Sequence, residues 1–144
     1  MASPPPPLAA FPLRTRDKLR YADTDRQGHV NNAIFATALE TGRVELLYAP
    51  AAPLHEPGCA FVIASLHLDF LGELTWPGEV EIGTRVSAVG KSSLTLAQAL
   101  YQGERCVATA ETVIVQMDEA TRRSRPLSEA AALRLRALGP GAPG

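Results

Sequence analysis

The chain has 144 residues, with 14 Lys plus Arg against 15 Asp plus Glu, 46% hydrophobic and 20% charged residues. The length suits one compact domain rather than two, and the composition excludes disorder through the middle of the chain. A formal net charge of -1 excludes a global field that would draw the protein to nucleic acid or to an anionic membrane, so any anion site must be a local cluster.

The chain opens with "MASPPPPLAA". This stretch has neither a basic n-region nor an apolar h-region, and no run in the chain is long enough to span a bilayer. The expected compartment is the cytoplasm, with no membrane partner. Four prolines in a row favour polyproline II, and residues 1–12 are expected to be a disordered tail. Residues 139–144, containing "GPGAPG", are expected to be a second loose end. Between them lies a single domain, residues 13–138.

"RTRDKLRYAD" is read as an exposed or edge strand, because it is polar and free of proline. From Ala33 to Tyr48 apolar positions recur at spacings of three and four, through Phe35, Leu39, Gly42 and Leu46, which predicts a helix with a wide buried face. Asn31 or Asn32 can cap it, and Pro50 and Pro53 stop it. "CAFVIASLHLDFLG" is apolar and β-branched enough for a mostly buried strand. "EVEIGTRVSAVG" alternates, with Val80, Ile82, Val86 and Ala88 on one face and Glu81, Arg85 and Ser87 on the other. "SSLTLAQALYQGERCVATAETVIVQMD" reads as two long strands joined at Gln102, Gly103 and Glu104. "LSEAAALRLRAL" closes as a short helix with Ser128 as N-cap. The fold class is therefore α+β, an antiparallel sheet of about five strands curled around one long central helix.

The two cysteines, Cys59 and Cys106, are far apart, and His29, His55 and His67 lack ligand spacing. No disulfide, metal or cofactor is expected, and the cysteines are read as small core residues. Chemistry concentrates in "RYADTDRQGHVNNAIF", residues 20 to 35. Asp23 and Asp25 would share a face if the strand persisted, and burial of such a pair would raise one pKa. Asp25 also precedes a helix whose free N–H groups form an anion site. A carboxylate beside such a site suits attack on a carbonyl: the carboxylate strikes or activates water, and the amides take the developing charge. Gly28 permits close approach of a ligand, His29 can hold or shuttle a proton, and Asn31 and Asn32 can orient water or cap. Plain capping and turn chemistry explains the same residues, and spacing alone leaves both readings open.

"YADTDRQGHVNNAIF" followed by "LETGRVELL" resembles the signature of the 4-hydroxybenzoyl-CoA thioesterase family of the hotdog superfamily. The likeness is specific over residues 20 to 47 and extends in element order to about residue 117. It implies a hotdog fold and hydrolysis of an acyl-CoA thioester. Asp25 then stands as nucleophile or general base, joined by His29 and Asn32, with Gly28 and Asn31 against substrate. In the related plant-type acyl-ACP thioesterases an Asn follows the Asp by two positions, where this chain has Gln27. A helix glutamate serves another branch, which makes Glu40 a lesser candidate; a helix salt bridge to Arg43 is the plainer reading of Glu40 and Glu45. Lys91, Ser92 and Ser93, in "GKSS", resemble the turn that holds the CoA nucleotide, and "TRRSR" offers Arg122, Arg123 and Arg125 as a second cluster. The resemblance further implies a homodimer or a homotetramer of two dimers. Asp23 is read as structural, pairing with Arg20 or Arg26. Phe35, Leu39, Phe61, Phe70 and Trp76 are core by default. The rivals are an acyl-CoA-binding module without hydrolysis, an acyl-ACP thioesterase, and a hydratase on the same scaffold.

Overall fold

The computed structural model describes residues 4–139. The elements run a 3-10 turn (Leu8–Ala10), β1 (Leu13–Lys18), a second 3-10 turn (Tyr21–Asp23), α1 (Asn32–Leu47), β2 (Cys59–Phe70), β3 (Glu79–Val89), β4 (Ser93–Gln102), β5 (Arg105–Asp118) and α2 (Glu129–Arg136). All neighbouring strands are antiparallel, in the order β1-β3-β4-β5-β2. The helix and strand pattern expected between residues 32 and 136 is present. The β4–β5 hairpin turns on Gly103, whose φ of 63° is a left-handed conformation that glycine adopts without strain. Ser128 caps α2, its hydroxyl accepting from Ala131 N.

One face of the sheet carries α1. Phe35, Ala38, Leu39, Leu46 and Leu47 turn inward from the helix onto Ile82, Leu96, Leu100 and Ile114 of the sheet. Gly42 sets how closely helix and sheet approach: a Cβ there would stand 2.8 Å from Gln98 Nε2 and 2.8 Å from the Ile82 side chain. Gln98, fully buried, ties the layers together by donating to Leu39 O (3.1 Å) and Thr84 Oγ1 (3.0 Å).

Four expectations change. The stretch read as one strand ends at Lys18, where β3 itself begins, and after Leu19 N donates to Gly78 O (2.9 Å) the chain winds into the Tyr21–Asp23 3-10 turn. β2, read as mostly buried, is an edge strand with Ile63, Leu66 and Phe70 exposed: among the described residues only β5 pairs with it, which leaves its second edge open. Ala88 leaves the apolar face of β3, because a bulge between Val86 and Ala88 shifts the register and exposes it. The tail read as disordered through residue 12 packs on the domain from Pro6 onward. Phe11 is buried on the far face of the sheet, above Gly83, where a Cβ would meet its ring at 2.6 Å. Arg85 lies over the ring, and the Tyr101 hydroxyl donates to Pro6 O. Residues 1–3 and 140–144 of the two expected tails lie outside the described residues.

Candidate active site

The motif divides into a closed half and an open half. Asp23 ends the 3-10 turn, buried, and both its oxygens are taken: Oδ2 accepts from Arg20 N (2.8 Å) and Oδ1 from Arg20 Nη2 (3.0 Å). The Arg20 backbone N–H holds this carboxyl below its ordinary value of 3.8, with help from the guanidinium and against the opposing effect of burial. The upward shift expected for two aspartates on one strand face is therefore absent at Asp23; there is no such strand. Asp23 O also accepts from Asn31 N (2.8 Å), which fixes where the helix begins.

Asp25 is exposed and closes its own loop. Its Oδ1 accepts from Gln27 N (2.8 Å) and His29 N (3.1 Å), while its N–H donates to His29 O (2.7 Å). This arrangement needs Gly28 at a φ of 82°, a conformation most side chains disfavour. Oδ2 of Asp25 has no protein hydrogen-bond partner among the described residues. Asn31 is the N-cap, accepting from Ala33 N (2.9 Å), and its carbonyl takes the Ile34 N–H. Asn32 is the first helical residue and is exposed. Its N–H is thereby left without a protein acceptor among the described residues. Asp25, Gly28, His29, Asn31 and Asn32 thus share one loop and helix start.

A second segment is stitched to this loop. Val30 N donates to Leu74 O (3.1 Å), and His29 pairs with Thr75 in an isolated antiparallel bridge. Gln102 braces Thr75, accepting from its N–H (3.0 Å) and donating to its carbonyl (2.8 Å). The Glu73 carboxylate lies 3.4 Å from His29 Nε2. Glu73 escaped the sequence reading because no local spacing connects it to His29. Tyr21 and Trp76 stack edge to face at 5.2 Å beside the motif and are both exposed. Trp76 and the exposed Phe70 therefore fall outside the core expected of them, whereas Phe35 and Leu39 are buried and Phe61 is half-buried.

Lys91, Ser92 and Ser93 do not join this site. They turn between β3 and β4, where Leu127 N donates to Lys91 O (2.9 Å) and Gly90 N to Ser93 O (2.7 Å). Lys91 lines a cleft of ≈ 510 Å³ with Pro126, Leu127, Glu129 and Arg136. β3 separates the two regions: it starts beside Leu19, and its 11 residues extend roughly 35 Å to the turn. Arg125 pairs with Asp118 at 3.4 Å, at that same distant end, where Asp118 faces Cys59 in the sheet. Glu40 makes no ion pair with Arg43 among the described residues; Arg43 is buried, and its Nη1 lacks a partner. Glu45 instead accepts from Thr15 (3.2 Å). His67 is exposed on β2 and pairs with Asp69 at 3.1 Å. Among the described residues no group of three or more His, Cys, Asp or Glu is gathered to hold a metal ion.

A sequence family described as the thioesterase-like superfamily matches residues 19–135, spanning the motif and most of the sheet and helices. The chain belongs to this superfamily. The likeness to 4-hydroxybenzoyl-CoA thioesterases is compatible with that membership, and thioester hydrolysis is the reaction class it carries. A Bacillus subtilis (strain 168) protein, YsmA, is 30% identical over 112 residues, 76% of each chain. A Thermus thermophilus thioesterase, solved with coenzyme A and zinc, is 34% identical with a TM-score of 0.78, covering 90% of this chain and 95% of its own. A Pseudomonas aeruginosa PAO1 structure superimposes with a TM-score of 0.85 over 96% of this chain and 99% of its own; at 22% identity it shows the fold alone. Five antiparallel strands bearing one long helix are the hotdog arrangement, which this chain shares with these solved structures. Among the described residues of this superfamily member no helix is long and apolar enough to cross a membrane.

Proposed function

We propose that the protein is an acyl-CoA thioesterase, hydrolysing R–CO–S–CoA to the free acid and CoA with Asp25 as general base or nucleophile. One observation carries the reading: Asp25 Oδ1 is anchored by two backbone amides while Oδ2 is free, on an exposed loop just before α1. A carboxylate held by one oxygen keeps its orientation and has the other available for a water proton or for the carbonyl carbon. The Asn32 N–H, at the positive end of the helix dipole, is the donor proposed for the carbonyl oxygen as charge develops there. Gly28 lets substrate come against the loop, and the side-chain amides of Asn31 and Asn32 border it. The coenzyme A complexed with the 34% identical Thermus thioesterase supports CoA as the thiol carrier.

The distance of Lys91 from Asp25 fits this reading in a homodimer. The open edge of β2 exposes Ile63, Leu66 and Phe70, with Leu71 just past its end, an apolar edge that a second copy would cover. Two-fold pairing of β2 edges runs the helices antiparallel and brings Lys91 of one copy to the end where the other carries Asp25. A homotetramer would join two such pairs.

The test is a thiol-release screen over short, long, branched and aromatic CoA esters with an acyl carrier protein ester included, on wild type and Asp25→Asn. Turnover that collapses in the folded mutant supports the assignment. Full turnover in Asp25→Asn removes Asp25 from the chemistry, and tight acyl-CoA binding without thiol release makes the protein a binding module. A monomer on size exclusion with full activity overturns the shared site.

A further inference from the structure

We propose that Glu73 is a positioning residue, holding His29 by Nε2 so that Nδ1 is left to protonate the departing thiolate; the assignment rests on the thioesterase reading above. The contact is 3.4 Å, and it is framed from both sides. His29 is held by its N–H on Asp25 Oδ1 and by its carbonyl on Asp25 N. The segment carrying Glu73 is held by Leu74 O on Val30 N, by the His29–Thr75 bridge, and by Gln102 on Thr75. The carboxylate and the imidazole therefore meet with little freedom in either backbone.

The pair is solvent-facing, with side chains 42% and 64% exposed, and exposed ion pairs add little to the stability of a fold. Stability does not account for a carboxylate braced against a motif histidine. A carboxylate on one ring nitrogen does something more specific: it keeps a proton there and settles which nitrogen faces the reaction. Asp25 and His29 belong to one closed loop, so the base and the ring arrive at a bound thioester together.

The chemistry balances with these groups alone. Water oxygen bonds to the carbonyl carbon as its proton passes to Asp25 Oδ2. The C–S bond then breaks with its electron pair on sulfur, and sulfur takes the Nδ1 proton of the imidazolium form of His29, whose second proton stays on Nε2 beside Glu73. Asp25 returns its proton through solvent to His29, leaving acid and thiol as products. A thiolate of ordinary basicity gains from this proton, whereas thiophenolate leaves without one.

Glu73→Ala is expected to lower turnover of a CoA ester by about tenfold with KM within about twofold, and turnover of a thiophenyl ester by less than about threefold. Glu73→Gln, whose amide oxygen can take the place of the carboxylate beside Nε2–H, is expected to restore the CoA ester rate to within about threefold. In a His29→Gln background Glu73→Ala is expected to cost nothing further. Equal losses on both esters, a Gln variant as slow as Ala, or an undiminished cost without His29 would each overturn the role. So would unchanged turnover in a folded Glu73→Ala protein. If wild type cleaves no thioester, the thioesterase reading fails first and the Glu73 role with it.

Discussion

Asp23 commits both carboxyl oxygens to Arg20 inside the fold, whereas Asp25, two residues later, commits one oxygen to its own loop and leaves the other to solvent. The residue type is the same, and a backbone amide donates to the carboxylate in each case. What separates them is the path of the chain: a 3-10 turn folds Asp23 under Arg20, and the Gly28 turn lifts Asp25 clear. A carboxylate with no oxygen to spare holds structure, and one with a spare oxygen is available for chemistry.

Replacing each in turn is the most direct way to break this contrast. Asp25→Asn should lower turnover by a hundredfold or more, about 2.7 kcal/mol on the barrier, with the melting temperature nearly unchanged. The amide oxygen of Asn can still accept from Gln27 and His29, so the loop survives. Asp23→Ala should do the reverse: it leaves Arg20 N–H without its acceptor and should cost about 1–3 kcal/mol in denaturant unfolding. Equal effects of the two substitutions on both readouts would erase the distinction. On a smaller scale, Lys91→Ala should raise KM for CoA esters about fivefold and leave a pantetheine ester unaffected, the loss of one phosphate contact of about 1 kcal/mol. Equal changes for both esters would remove Lys91 from the nucleotide.

The finest probe of the closed half is pH. The folded pKa of Asp23 is depressed below 3.8, so its contribution to stability is fully present above that value and is lost as pH falls through the folded pKa. The stability gap between wild type and Asp23→Asn should be constant at neutral pH and shrink only in acid below about 4. A gap that shrinks between pH 5 and 7 would point to another group.

Arg43 shows a different kind of gap between sequence and structure. Helical spacing makes Glu40 and Arg43 natural partners, yet the guanidinium is buried and unpaired by Glu40, because residue 43 lies on the inward stripe with Leu39 and Leu46. Phe11 makes the same point for the outer face of the sheet: nothing in its proline-rich surroundings announces that Gly83 leaves room for a ring. β2 misleads for a related reason. Its composition is that of a buried strand, yet its place at the end of the strand order gives it one neighbour and leaves Ile63, Ala64, Leu66 and Phe70 exposed.

Sequence by itself determined the helix from its period and its asparagine cap, the strands from alternation and β-branched runs, and the loop from Asp25 to Asn32 from its glycine and capping residues, because all these signals act over a few residues along the chain. It also singled out Asp25, through the order of a motif. Only the tertiary structure decided that Asp23 is closed and Asp25 open, that Lys91 sits a full strand away, and that Glu73 stands against His29. Those are distances between segments, set by how the sheet orders its strands and where the loops cross, and no local preference of the residues encodes them.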